Sequence, residues 1–397
     1  MSLTSCPICH SHNLYVFVKR YNIPIVQNII CRDENSAFAI PKGDLFLNYC
    51  KTCGFVFNSE FLDKNLIYGE NYDNRQIFSP YFYQYLQKLS DCLILKYNIN
   101  KTNIIEIGCG DGSFLKLMVS KGNNRGIGFD PSYKGEEYYC NGNIQFITDY
   151  YSPKYSNYNA DVIITRHVIE HIHNPLDLLR QIKNCFYEYS DKKKLIIETP
   201  DLNWIINNNA FWDFCYEHCS YFSPISILNL LDIAGFNNCE LIPTFKGQYM
   251  ISISQLSRIK NQENPHFTVN EKDIKLIEKY SKNENELIKN SQLLIKKFFE
   301  CANVYLWGAG AKGVIFANLV DPERKYITGI VDINPAKQQK FIPGTGHKII
   351  SPKNIKDTGI VIIMNNIYSE EIKKILMNHG KSLRITTIET IINNLCQ

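Results

Sequence analysis

Apolar residues between about 101 and 257 fall into short runs separated by stretches of helical spacing. Ile104 to Ile107, Gly126 to Phe129, Ile144 to Ile147, Asp161 to Thr165 and Lys194 to Thr199 are too short for buried helices, and their β-branched content predicts buried strands. Helical patterns lie between them, one opening at Phe114-Leu115 and another running from Pro175 to Phe186. Such alternation predicts a mostly parallel sheet covered on both faces. Cys239 to Ile242 and Tyr249 to Ser254 follow one another with no helix between, which predicts an antiparallel pair closing the sheet. Ser79 to Tyr97 reads as an amphipathic helix leading in, and Ser223 as the N-cap of a helix starting near Pro224.

Outside that region the pattern changes twice. The chain up to about residue 75 is strand-like and aromatic, with two cysteine pairs. Val269 to Cys301 is charged with helical periodicity at Ile274, Ile277, Tyr280, Leu287, Leu294, Ile295 and Phe298, and reads as a solvated connector helix. A second strand, glycine loop and helix begins at Asn303, and its next strand, Ile327 to Val331, ends at Asp332. The expected division is 1–75, 76–260, a connector over 261–300, and a second α/β unit over 301–397. Asn207-Asn208-Asn209 reads as a polar loop.

Composition narrows the class. With 397 residues, 45% hydrophobic and 21% charged, the chain has ample core and no disordered signature. A formal charge of +4 gives no footprint for nucleic acid or a membrane surface. No apolar run approaches a membrane span and Met1 to Cys6 has no hydrophobic signal core, so a cytoplasmic protein, monomeric or homodimeric, is expected. In that setting most of the 14 cysteines are expected to be buried thiols or metal ligands.

The most informative segment is Ile104-Ile-Glu-Ile-Gly-Cys-Gly-Asp-Gly-Ser-Phe114. A strand enters a loop with Gly108, Gly110 and Gly112, at the sheet edge where open α/β folds bind ligands. Glu106 precedes the glycines and Asp111 lies among them, where a carboxylate would repel a pyrophosphate but tolerate a methionyl ammonium or sulfonium. Asp130, ending the next strand, suits ribose hydroxyls. The pattern resembles motif I of class I S-adenosylmethionine-dependent methyltransferases, whose sheets also end in an antiparallel pair. Cys109 in the loop, Asp149 after the third strand and His167 after the fourth join these as expected cofactor contacts.

Three further constellations carry chemistry. Cys6-Pro-Ile-Cys9 and Cys50-Lys-Thr-Cys53 are paired knuckles suited to a structural Zn2+ with four thiolate ligands. His167-Val-Ile-Glu-His171 follows a strand; a helix there would put both histidines on one face. In Phe211 to Ser223, Tyr216, Glu217, His218 and Tyr221 set polar groups among aromatics, and a histidine beside a carboxylate can serve as a base near neutral pH.

Taken in order, the knuckles, the glycine loop, the Glu-His segment with Ser220-Tyr221-Phe222 and the terminal Trp307-Gly-Ala-Gly-Ala-Lys-Gly313 resemble the three-part sugar C-methyltransferase family across the whole chain. Val331-Asp-Ile-Asn-Pro335 with Lys337 and Phe341-Ile-Pro-Gly-Thr-Gly346 extend the match. The resemblance implies a nucleotide-linked 4-keto-6-deoxy sugar as substrate, its nucleotide held by Gly308, Gly310, Lys312, Gly313, Asp332 and Lys337. It makes His218 the base, with Glu217 beside it and His171 as a second active-site histidine, while Tyr216 is a donor for an enolate oxygen. Two departures leave the substrate and the accepting atom open. Cys215-Tyr-Glu-His218 stands where relatives that methylate carbon read Tyr-His-Glu-His, and Lys246-Gly-Gln-Tyr249 where they carry a Gly-Gly-Ser type segment. Transfer to oxygen or nitrogen, an NAD-dependent oxidoreductase using the second glycine loop, and a zinc-bearing binding module with a vestigial core are the alternatives.

Overall fold

The short apolar runs become strands because their β-branched residues fill both faces of a buried sheet. In the structure, a computed structural model, residues 2–62, 72–73, 75–155, 157–184, 186, 193–256, 267 and 269–395 are described. The N-terminal unit holds β1 (Leu14–Pro24), α1 (Glu34–Phe38), β2 (Lys42–Cys50) and β3 (Val56–Asn58), all antiparallel neighbours. Helix α2 (Pro80–Lys96), capped by Ser79, leads to β4 (Asn103–Ile107), α3 (Ser113–Gly122), β5 (Arg125–Phe129), β6 (Tyr138–Tyr139), β7 (Ile144–Ile147) and β8 (Val162–Arg166). Then come α4 (Pro175–Lys183), β9 (Lys194–Pro200), α5 (Leu202–Asn207), β10 (Ser220–Tyr221), α6 (Pro224–Ala234), β11 (Phe236–Thr244) and β12 (Tyr249–Leu256). Ser223 caps α6 as expected, accepting from the Ser226 amide in a capping box.

The central sheet runs β11-β12-β9-β8-β4-β5-β7-β6. Strands β7, β5, β4, β8 and β9 are parallel, while β12 is antiparallel to both β9 and β11. The predicted closing pair therefore sits at the edge, with β12 inserted before β11. Order reverses between β4 and β8, which places the ligand crevice at the carboxyl ends of those two strands.

Helix α7 (Glu271–Cys301) connects to a second α/β unit of β13 (Val304–Trp307), α8 (Ala311–Val320), β14 (Gly329–Val331), β15 (Ile349–Ile350), β16 (Ile360–Ile363), α9 (Ser369–Asn378), β17 (Arg384–Thr387) and α10 (Ile388–Leu395). Its sheet, β15-β14-β13-β16-β17, is parallel throughout and again reverses beside its first strand. The last residues of the expected methyltransferase span, 257–260, and the start of the expected connector, 261–266 and 268, lie outside the described residues. No described helix is long and apolar enough to cross a membrane.

Two features depart from the sequence division. Strand β10 pairs with β3 in the order β1-β2-β3-β10, so the N-terminal sheet is completed by residues from the middle of the chain. Helix α7 is also no solvated spacer: Ile277, Tyr280, Glu284, Leu287, Ser291 and Ile295 form a buried stripe, with Glu284 inside it. Glu284 meets Arg20 of β1 at 2.5 Å, and the same guanidinium donates to the carbonyls of Phe211 and Phe214 at 2.8 Å each. Burial would discharge Arg20, but Glu284 and Tyr280 outweigh it and hold the guanidinium charged. Removing one partner strands a buried charge, so Arg20→Ala should cost about 3–5 kcal/mol. The measure is the urea unfolding transition, and Arg20→Ala unfolding at the wild-type midpoint would refute it.

Candidate active site

The glycine loop between β4 and α3 is drawn tight over the sheet. Gly108, Gly110 and Gly112 all have positive φ (72°, 57° and 75°), and the amides of Gly108 and Cys109 both donate to the Phe129 carbonyl. A Cβ on Gly108 would collide with Val168 and one on Gly112 with Phe146, whereas one on Gly110 meets nothing within 4 Å. The middle glycine therefore lines open space, and the outer two are fixed by packing. Asp130 at the end of β5 closes the loop: its Oδ2 accepts from Gly110 N at 2.9 Å, and its Oδ1 accepts from Ser132. Asp111 accepts from Ser113 N at 3.0 Å and serves the start of α3. Glu106 lies beneath the loop, fully buried with one oxygen unpartnered; burial, opposed by Arg166 and reinforced by Asp111 and Asp130, pushes its carboxyl up to about 8. Cys109 is buried against β5, and Asp149 is held on the surface by Lys154 and Tyr155. An open glycine ringed by three carboxyls fits the cationic, ribose-bearing S-adenosylmethionine.

The carboxyl ends of β8 and β9 hold a buried ionic network. Glu198 accepts from Arg166 at 2.5 Å and from Tyr85, and His167 Nε2 lies 3.7 Å away. His167 has φ of 54°, packs edge-on against Tyr249 at 4.4 Å and stands 3.3 Å from Glu170 through Nδ1. No α-helix follows β8. Only a 3-10 turn, Ile169–His171, forms, because α4 waits for its cap at Asn174. The expected shared face is thus replaced by divergence, with His167 turned to Glu198 and His171 to His218, ring centroids 4.8 Å apart.

Around His218 the structure corrects two expected roles. The Glu217 carboxylate turns away into the N-terminal unit, where it accepts from the amides of Gln27 and Asn28 and from the Tyr72 hydroxyl. The acid that joins His218 and His171 is Glu170, with ligand-capable atoms of all three within 4.8 Å. The Tyr216 hydroxyl accepts from Leu62 N and donates to the Glu60 carbonyl, so it is a packing residue there and no donor for an enolate. Burial, with His171 beside it, holds His218 down to about 3 against the pull of Glu170. Sequence reasoning overlooked Glu170 and Glu198; the first lies within the quoted Glu-His motif, and the second is the lone acid in the apolar run of β9.

In the second α/β unit, Asp332 repeats the work of Asp130: its Oδ2 accepts from Ala309 N at 2.9 Å and its Oδ1 from Asn334 N at 2.8 Å. Gly308 has φ of 122°, a Cβ on Gly313 would strike the Gly308 carbonyl, and Gly310 faces Asn28 of the N-terminal unit. Lys337 is buried and donates to the Ala309 carbonyl. Lys312, expected to meet a pyrophosphate, is paired with both oxygens of Asp213 at 2.5 and 2.6 Å. In the N-terminal unit, Cys6, Cys9, Cys50 and Cys53 come together, with Sγ separations of 3.6 Å (Cys6 to Cys53) and 3.5 Å (Cys9 to Cys50). A tetrahedron with Zn–S bonds of about 2.3 Å needs about 3.8 Å between sulfurs, so these thiols fit zinc.

Residues 75–241 match the family model of a methyltransferase domain, and residues 254–383 that of a C-methyltransferase C-terminal domain. The chain is a class I S-adenosylmethionine-dependent methyltransferase. No curated protein sequence matches it. Solved structures similar to this methyltransferase include an O-methyltransferase family protein from Burkholderia thailandensis, at 12% identity over 45% of this chain and 59% of that one, with a TM-score of 0.34. Magnesium protoporphyrin IX methyltransferase from Synechocystis PCC 6803 with bound SAH aligns at 16% identity over 45% and 84%, with a TM-score of 0.34. An O-methyltransferase described as putative from Nostoc punctiforme PCC 73102 aligns at 14% over 48% and 63%, with a TM-score of 0.35.

The network makes a pH prediction. Burial disfavours the charged His167 ring, yet Glu170 and Glu198 outweigh it and lift the group to about 9 from its usual 6.5. A raised folded-state value contributes stability that is full below pH 6.5 and is lost as pH rises through about 9. The melting-temperature gap between the methyltransferase and its His167→Asn variant should therefore shrink from pH 6 to pH 9.5, read by calorimetry. A gap that widens over that range would reject the charged ring.

Proposed function

We propose that the enzyme transfers a methyl group to a carbon alpha to the ketone of a nucleotide-linked 4-keto-6-deoxy sugar, acting in the cytoplasm as a monomer or homodimer. The observation that carries this reading is the match of residues 254–383 to a C-methyltransferase C-terminal domain, joined to His218 by a short path. Lys312 of that domain grips Asp213, five residues before His218 in the same segment. Gly110 and Asp130 would hold S-adenosylmethionine, which would supply an electrophilic methyl on its sulfonium.

His218 acts as the base. Its environment leaves a nitrogen lone pair open to the alpha proton, whose acidity the adjacent ketone provides; the same burial weakens the imidazole as a base, and the Glu170 carboxylate opposes this by favouring the protonated ring. The electron pair left on the alpha carbon delocalises into the ketone oxygen as an enolate and returns to form the new carbon–carbon bond to the donated methyl, whose bond to sulfur breaks with its electron pair left on sulfur as a neutral thioether. His171 fixes the geometry: its Nδ1 donates to the Glu217 carbonyl at 3.0 Å and its ring meets His218 edge-on. Glu170 then takes the role of the stabilising carboxylate for a protonated His218 that Glu217 was expected to fill. For the nucleotide, the second glycine loop offers the backbone of Gly308 to Gly313, and a diphosphate engages Lys312 by displacing Asp213.

His218→Asn should abolish turnover while S-adenosylmethionine binding survives, and the wild type should exchange the alpha proton of a 4-keto nucleotide sugar with solvent deuterium. NMR of the product decides the atom: a carbon-bound methyl supports the reading, and a methoxy signal rejects it. Exchange kept by His218→Asn and lost by His171→Asn would move the base to His171.

The four cysteines are proposed to hold one structural Zn2+ per chain. Thiolate binding contributes folding free energy directly, so Cys50→Ser should lower the melting temperature and solubility before it touches chemistry. Metal analysis of freshly purified enzyme returning no zinc would reject the assignment.

A further inference from the structure

Glu170, His171 and His218 have been treated above as proton-handling groups, but their arrangement has a second chemical property. Two imidazoles and a carboxylate present ligand atoms within 4.8 Å of one another, the donor set by which first-row divalent metals are held with coordination positions to spare. Metal-ligating side chains need support from a surrounding shell that fixes their orientation. That shell is present. The Nδ1 of His171 donates to the Glu217 carbonyl at 3.0 Å, which fixes the ring and puts its lone pair on Nε2. The Oε2 of Glu170 accepts from Thr199 Oγ1 at 3.1 Å, while Oε1 of this residue, only 1% exposed, has no hydrogen-bond partner, with His167 Nδ1 3.3 Å away as its nearest cation. The Glu170 backbone is tied down as well, its carbonyl accepting from Cys219 Sγ. The His167 ring meets that oxygen as an ion pair and not as a hydrogen bond.

We propose that Glu170, His171 and His218 form a second metal site, distinct from the four cysteines, that takes a divalent first-row transition ion. Coordination uses the same nitrogen lone pair that a base needs, so an ion bound there turns His218 from proton acceptor to ligand. The site is thus a point at which zinc-like ions arrest the enzyme reversibly, while the thiolate site retains its own ion. No bond is made or broken in the donor, and the methyl-donor loop of Gly108 to Gly112 lies outside the ligand set.

Cobalt(II) is the probe. Supplied during expression in place of zinc, so that the thiolate site is never emptied, and then titrated into the full-length protein, it should bind in two equivalents: one with intense sulfur-to-metal charge-transfer bands from the cysteines, and one with only weak visible bands from nitrogen and oxygen ligands. Glu170→Gln, His171→Ala and His218→Ala should each lose the second equivalent and keep the first, and the retained first equivalent reports that the variant has folded. Thr199→Val, which removes only the supporting hydroxyl, should weaken the second equivalent about 10- to 100-fold. A second, independent reading is chemical: with two equivalents bound, His171 and His218 should resist diethyl pyrocarbonate in peptide mass maps. A single equivalent in the wild type, or a second equivalent that survives all three ligand substitutions, overturns the proposal.

Discussion

The guanidinium of Arg20 is where three distant stretches of the chain meet. It joins β1 to the connector helix through Glu284 and to the central segment through the carbonyls of Phe211 and Phe214. The Phe214 carbonyl lies in irregular chain and the Phe211 carbonyl is met within its single 3-10 turn only by a long bond from Phe214 N at 3.4 Å, so a buried cation with several fixed donors reinforces what little secondary structure there is. Everything that follows along the segment inherits this fixing. Asp213 reaches Lys312, Cys215 is bracketed by the Tyr221 hydroxyl, Tyr216 is held by Leu62, and Glu217 is held by Gln27 and Tyr72. His218 thus stands in the crevice on a strand of backbone whose every neighbour is anchored elsewhere.

Much of the fold was legible because its signals are local. The parallel strands of the central sheet end within one residue of their predicted spans, since β-branched runs and the glycine loop specify them without help from distant chain; β11 starts three residues earlier than predicted, and the two-residue β6 was not predicted. The antiparallel closing pair was readable for the same reason. What was not readable is non-local. Ser220 and Tyr221 carry no sign that they will pair with Phe57 and Val56, because two residues make no period. Glu284 did leave a trace: it falls on the apolar stripe four residues after Tyr280, where a charge needs a buried partner, and Arg20 sits two residues from Val18 on the inward face of β1.

At the site, residue types were legible and partnerships were not. Adjacency in sequence suggested Glu217 for His218, yet the chain bends at Tyr216 and Glu217, and the Glu217 carboxylate faces the N-terminal unit. Glu170 reaches His218 only because the chain after β8 makes a single 3-10 turn. Likewise Lys312 reads as a phosphate ligand until the fold delivers Asp213 to it. The four cysteines met as their spacing required, since each CxxC knuckle is preorganised locally and the β1-β2 hairpin brings the two together.

Strand β10 carries a consequence for how the chain is made. The N-terminal sheet lacks its fourth strand until residue 221 has been synthesised, roughly 160 residues after β3, an interval set by the register of Tyr221 with Val56. During that interval β3 leaves the ribosome with one hydrogen-bonding edge bare, flanked by Phe55 and Phe57, the kind of edge that recruits foreign strands. The usual order, in which the first domain folds before the second is translated, is therefore closed to this protein. Its N-terminal unit and the segment that carries His218 must mature together, and truncation between them yields an open sheet and not a smaller domain.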